Sequence, residues 1–284
     1  MNPKNSQPLK ETAIFFAITL GICYLVLWGP IVLFQTPTIS FVDKTMGPAW
    51  AIVLFLIGGF VPSLTAIALT GIKEGKPGLK QLWRRVIQFQ IGWHWYLAVL
   101  LIVFLGSACQ ILINNLLGGS FDFSLFLKQL PSFLPLIIIG PLSEELGWRG
   151  YAQMRLQTRW NPVIAGLVVG MVWALWHLPL FLMVGTSQHE LNMPFMGFFF
   201  GLTAHSVIYA WLQYHTDNSI WTAIFFHWIF TYAMQVVATG VTRSPVYNWL
   251  EYTPYMVFAI VVAWIWGREM KTGAVSPHPL ESRI

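Results

Sequence analysis

Two adjacent glutamates are the first residues whose type and place suggest chemistry. Glu144 and Glu145 lie in the run Pro141-Leu142-Ser143-Glu144-Glu145-Leu146-Gly147-Trp148-Arg149-Gly150-Tyr151, at the end of an apolar stretch. Neighbouring residues on a helix point about 100° apart, so the two carboxylates cannot share one role. Glu145 and Arg149 are four apart on one face and can pair. Glu144 has no such partner in its own helix. It must find one across the fold, stay protonated, or face water. An unpaired carboxylate in a partly dry site suits general-base work. Two solvated glutamates at an interface are the plain alternative.

Three histidines fall inside apolar runs: His177 in VWALWHLPLF, His205 in LTAHSVIY and His227 in AIFFHWIF. A lone histidine there packs and hydrogen-bonds. Several in separate segments, together with an embedded glutamate, point to a polar cluster. Trp173 precedes His177 by four and can pack beside its imidazole; Thr231 follows His227 by four and shares its face. His94, His189, His215 and His278 fall at ends or in loops and are given no role. Glu144, His177 and His227 are ligand types for zinc. Even so, no HExxH occurs, and HELNM at His189 lacks the second histidine. No metal and no other cofactor is therefore expected. A serine hydrolase is disfavoured, since no GxSxG occurs and Ser143 beside Glu144 forms no triad. Cys23 and Cys109 sit in apolar stretches and read as small hydrophobes.

The elements that must position these groups follow from composition. Of 284 residues, 56% are hydrophobic and only 10% charged, with a mean hydropathy of +0.62. Soluble domains carry about 25% charge, so this chain cannot clothe a water-soluble globule. Disorder is excluded by the same figures. The net charge of +5 is not concentrated in one block, so no nucleic-acid partner is expected. The remaining class is an all-α, polytopic membrane helix bundle. Apolar runs at 12–34, 46–72, 93–117, 131–148, 161–184, 193–214, 218–240 and 253–267 predict about eight transmembrane helices in a single membrane domain, 1–284.

With the N-terminus inside, the outer loops hold only Lys44, Lys128 and Arg243 among the Lys and Arg residues. Both termini are therefore expected in the cytoplasm. The compact chain without long soluble loops favours a bacterial cell membrane. The basic, amphipathic segment Gly71 to Gly92 is expected on the anionic leaflet, as an anchor without substrate contact. Pro62 and Pro179 are expected to kink their helices. The pairs Gly166/Gly170 and Gly197/Gly201 are expected to let helices approach closely.

One internal conflict remains. If the fifth span starts near Asn161 at the inner surface, His177 lies about 24 Å along it, at 1.5 Å per residue. Glu144 ends the fourth span and should lie near that same surface. Straight helices normal to the membrane would keep the two apart. Either 149–160 continues into the membrane, or the spans tilt, or a boundary is misplaced; the last two are the expectation.

The run from Glu144 to Tyr151 resembles the EExxxR signature of the CPBP intramembrane proteases, which include type II CAAX prenyl endopeptidases and bacterial Abi proteins. The family's FxxxH motif is matched by Trp173-Ala174-Leu175-Trp176-His177, with Trp for Phe. Its third motif, a His followed four residues later by Asn or Asp, is degraded here: His227 is followed by Thr231. The resemblance covers about 131–240, which it marks as the catalytic core. It implies a metal-independent glutamic endopeptidase acting on membrane-associated or lipidated peptides. Glu144 and His177 would orient and deprotonate the attacking water. His227, with Thr231, would donate to the oxyanion, while Glu145, Arg149 and Trp173 would support the site. The threonine at 231 motivates an alternative: a non-catalytic membrane scaffold or bacteriocin-immunity protein on the same fold. A proton-coupled transporter is a third, disfavoured by the lack of an inverted repeat.

Overall fold

A computed structural model of the chain describes residues 3–40, 45–131 and 138–270. Lys44, His278, the start of the expected fourth span (132–137) and the C-terminal residues from 271 lie outside these. The described chain is helical almost throughout. It opens with α1 (Pro3–Gly21), continues through a π-helical segment (Ile22–Leu27) into α2 (Trp28–Leu33), and then runs through α3 (Ala49–Val86) and α4 (Trp93–Leu116). A two-residue strand β1 (Ser120–Phe121) and the short α5 (Phe123–Gln129) precede α6 (Ile139–Glu145), which passes through a second π-helical segment (Leu146–Gln153) into α7 (Met154–Gln157). Next come α8 (Pro162–Trp176), a 3-10 turn (Leu178–Phe181), α9 (Ser187–Glu190), α10 (Phe195–His215) and α11 (Ile220–Gly240). The strand β2 (Val241–Thr242), α12 (Tyr247–Leu250) and α13 (Thr253–Trp266) complete it. β1 and β2 pair antiparallel, Ser120 opposite Thr242.

Among the described residues, six stretches are long and apolar enough to cross a membrane: Gln7–Leu33, α3, α4, α10, α11 and Tyr247–Trp266. The shorter apolar α8 has fifteen residues. With the run from α6 to α7, these helices stand where the eight apolar runs were expected, and the chain is an integral, multi-pass membrane protein. Large apolar side chains such as Leu25, Leu33, Phe104 and Trp264 remain exposed, as a lipid-facing surface requires.

The conflict over depth resolves in a way not favoured at the outset. The helix carrying Glu144 does not end there but continues to Gln157. The polar side chains that gave this stretch the look of a loop are buried in protein: Arg149, Gln153 and Gln157 are 0–2% exposed. Gln153 Nε2 donates to Gln213 Oε1 on α10 at 2.9 Å. After Gln157 the chain reverses. Asn161 caps α8, its side-chain oxygen accepting from Ile164 N at 2.9 Å, and Pro162 fits the first turn, where no N–H is needed. Glu144 thus lies thirteen residues before one side of the turn and His177 sixteen beyond Asn161 on the other. At about 1.5 Å per residue they stand at similar depth.

The backbone departs from expectation in two places. In α3 a non-helical residue falls at Gly75 (φ 64, ψ −156). Glycine alone adopts that conformation without a steric penalty. The chain turns back sharply there: a Cβ on Gly71 would lie 3.5 Å from Leu79 Cδ1, a pair about 12 Å apart in a straight helix. The segment after Gly75 packs one face against the helix bundle. Its Leu82 and Val86 pack with Leu146, Ile220 and Ile224. Arg85 donates to Gly150 O (3.1 Å) and Asn218 O (2.9 Å), serving carbonyls within the π-helical segment and in the α10–α11 turn. The second departure is that Pro179 does not kink a continuing helix. The α-helix stops at Trp176 and Pro179 sits in the 3-10 turn that follows.

Close helix approach holds as expected for α8 and α10. A Cβ on Gly170 would lie 2.7 Å from Ser206 Cβ and 2.8 Å from Thr203 Cα. At the end of the bundle beside the 158–161 turn, Arg155 donates to Glu11 (2.9 Å) and pairs with Glu74, while Lys73 lies 3.2 Å from Glu11. This network ties α1, α3 and α7 together.

Candidate active site

The glutamate pair sits on the last turn of α6, where it gives way to the π-helical segment. Such segments are rare and recur at functional sites. Glu145 and Arg149 are both fully buried and paired, with Arg149 Nη1 3.3 Å from Oε2 and 3.5 Å from Oε1. Arg149 Nη2 also donates to Ser206 Oγ at 3.4 Å. Its guanidinium sits in the corner formed by two perpendicular rings, 4.2 Å from the centre of Trp173 and 3.9 Å from that of Tyr209. A dry cation needs this much company. Ser206 and Tyr209 were not singled out from the sequence. Their only signal was a spacing of three on α10, beside the Gly170 contact.

Glu144 is 9% exposed and finds its partner across the fold, as one of the three alternatives required. Trp173 Nε1 donates to Glu144 Oε2 at 2.7 Å. Trp173 is one turn from the end of α8, and its backbone oxygen lies 2.8 Å from His177 Nδ1. A carbonyl only accepts, so Nδ1 carries the hydrogen, and Nε2 of the neutral ring keeps its lone pair. The His177 ring is walled by Trp173 (5.7 Å between centres), Trp176 (4.8 Å) and Phe198 (5.2 Å).

His227, on the second turn of α11, brings in the third element. Its Nδ1 lies 2.7 Å from Glu145 Oε1. Glu145 is the anionic partner of Arg149, so His227 Nδ1 donates and its Nε2 is left for other contacts. Trp173 packs against His227 as well, at 5.4 Å between ring centres. Thr231 follows one turn later on the same helix and is partly buried.

The structure therefore brings Glu144, Glu145, Arg149, Trp173, His177 and His227 together, from the α6 run, α8 and α11. It does not bring in His205, whose ring lies among Phe226 (4.8 Å), Phe230 (4.1 Å) and Tyr255 (5.2 Å). Among the described residues, no group of three or more His, Cys, Asp or Glu is disposed to hold a metal ion. Chemically, the arrangement offers a carboxylate with one oxygen tied and the other untied, beside two imidazoles each held by Nδ1. A tied group loses little freedom when it engages a reacting molecule.

Comparison with known proteins matches these residues to one family. A family model described as type II CAAX prenyl endopeptidase Rce1-like matches residues 126–233. The chain is also 33% identical over 151 residues to a protein named CAAX prenyl protease 2 from Methanococcus maripaludis, an alignment covering 48% of this chain. The match spans 56% of that relative's length, little more than half. Glu144, Glu145, Arg149, Trp173, His177, His227 and Thr231 all fall within residues 126–233, the segment of this chain that is similar to the Rce1-like, type II CAAX prenyl endopeptidase family.

Proposed function

We propose that this chain is an intramembrane endopeptidase that hydrolyses a peptide bond in a membrane-associated peptide, with a lipidated C-terminus as the favoured substrate class. One observation carries the reading: Glu144 and His177, on different helices, are both anchored through Trp173 with a proton-accepting atom left over on each. The untied oxygen of Glu144 takes a proton from water as the water oxygen bonds to the peptide carbonyl carbon, with His177 Nε2 orienting that water. The carbonyl oxygen becomes an oxyanion, to which the Thr231 hydroxyl and a protonated His227 donate, the imidazolium keeping Nδ1–H on Glu145 and turning Nε2–H to the oxygen. The carbon–nitrogen bond then breaks as Glu144 passes its proton to the leaving amine. No metal enters these steps. Glu145 and Arg149 hold His227 and the helix bearing Glu144. The family match and the printed name of the Methanococcus maripaludis relative support a protease on membrane substrates. In this reading 1–284 is one membrane domain, 131–240 its catalytic core, and both termini face the cytoplasm of a bacterial cell.

The test compares membranes from cells making the wild-type chain or Glu144→Gln at matched abundance, with new peptide termini read by mass spectrometry and a chelator arm alongside. Termini that need the wild type and survive EDTA are the expected result. Loss with EDTA moves the chemistry to a metal. Identical termini from both proteins, with Glu144→Gln keeping the wild-type phenotype, would leave the scaffold reading in its place.

A further inference from the structure

We infer that Trp173 is the positioning residue that aims both water-activating groups, a role resting on the peptidase reading above. Its side chain and its backbone do separate parts of the work. The indole N–H donates to Glu144 Oε2 at 2.7 Å, and the backbone oxygen accepts from His177 Nδ1 at 2.8 Å. An indole nitrogen is a donor only, so it holds a carboxylate oxygen and cannot compete for water's proton. With Oε2 tied, rotation of the carboxylate is arrested and the remaining oxygen has one direction. Trp173 is itself immobile. It is 2% exposed, Arg149 lies 4.2 Å over its ring, and the rings of His227 and Tyr209 stand 5.4 and 5.7 Å away.

This is a property of this chain's own residue. The resembling motif places phenylalanine here, and phenylalanine has no N–H to give. Trp173→Phe therefore cuts one tie and spares the others: an aromatic face remains for Arg149, and the backbone oxygen remains for His177. A residue serving only as packing would survive this change with its function intact.

The experiment uses the full chain in detergent or vesicles, with an internally quenched peptide bearing a cleavage sequence found only with wild type. Trp173→Phe is expected to lower kcat about tenfold or more, the size of effect that small misplacements bring, with KM within about twofold. Infrared difference spectra supply the readout that mere packing would not move. The carboxylate bands of Glu144, identified by their loss in Glu144→Gln, should shift in Trp173→Phe. If Trp173→Phe does not fold, Glu144→Ala replaces it. The indole hydrogen-bond marker in ultraviolet resonance Raman, assigned to Trp173, should then weaken. Unshifted carboxylate bands, an unchanged indole marker, or a kcat within twofold of wild type would each overturn the positioning role while leaving the peptidase reading intact. Failure of the wild type itself to produce Glu144-dependent termini would instead remove the peptidase reading, and the positioning role with it.

Discussion

His227 Nδ1 lies 2.7 Å from Glu145 Oε1, although the two are 82 residues apart in the chain. That contact gives the two adjacent glutamates opposite duties. Glu145 is fully enclosed and neutralises Arg149 while turning the ring of His227. Glu144 is bound by a neutral donor and keeps an oxygen untied. Glu145→Gln should accordingly destabilise the fold, because Arg149 is left buried with no anion. Removing one partner of a buried pair costs about 3–5 kcal/mol. Glu144→Gln replaces a carboxylate by an amide that still accepts from Trp173 and should unfold near the wild-type temperature. Thermal unfolding in one detergent compares the two; equal losses would contradict this division.

Much of that division was legible in the sequence, and the reason is local. The i, i+4 spacing of Glu145 and Arg149 is fixed by helix geometry alone, which leaves Glu144 as the carboxylate without a helical partner. What supplies that partner was not legible, because Trp173 and His227 reach the glutamates from other helices. The end of the fourth span was misplaced for a physical reason. Arg149, Gln153 and Gln157 look like the residues of a loop, yet each is buried against protein, where hydropathy cannot distinguish it from solvent exposure. The reversal at Gly75 was hidden similarly, by an amphipathic pattern that continues on both sides of the turn. The apolar runs themselves marked the helices well, since lipid demands long uninterrupted ones.

Gly147 should not tolerate a side chain. A Cβ there would stand 2.6 Å from the backbone of Pro62, and helix backbone cannot rotate away as a side chain can. Gly147→Ala must push the π-helical segment off α3, at a cost of about 1–3 kcal/mol typical of overpacking. The expected outcome is a lower unfolding temperature together with lost cleavage, since Glu144 and Glu145 adjoin the displaced turn. Full activity in a stably folded Gly147→Ala would show that the α3 contact does not set the site.

His205 makes the opposite prediction. Neither of its ring nitrogens has a hydrogen-bond partner among the described residues, and its surroundings are aromatic. A buried polar group without a partner costs about 1–3 kcal/mol. His205→Leu removes that cost and fills much of the same volume, so thermal stability should hold or rise. Cleavage should be unaffected. A marked loss of activity in a stable His205→Leu would assign this ring a functional role.

Thr231 offers a gain-of-function test. It lies one turn beyond His227 on α11, about 6 Å further along the axis, where the resembling motif has Asn or Asp. In the proposed mechanism its hydroxyl helps receive the oxyanion. An oxyanion donor acts only once charge has developed, so its loss lowers kcat and leaves KM alone. Removing one such donor costs on the order of 10²–10³ in rate in other enzymes. Thr231→Ala should therefore reduce kcat by more than tenfold, and Thr231→Val, which keeps the shape but not the hydroxyl, should match it. Thr231→Asn restores a longer amide donor and should raise kcat above wild type. If Ala, Val and Asn all turn over at the wild-type rate, residue 231 does not touch the oxyanion, and His227 Nε2 is the donor that remains.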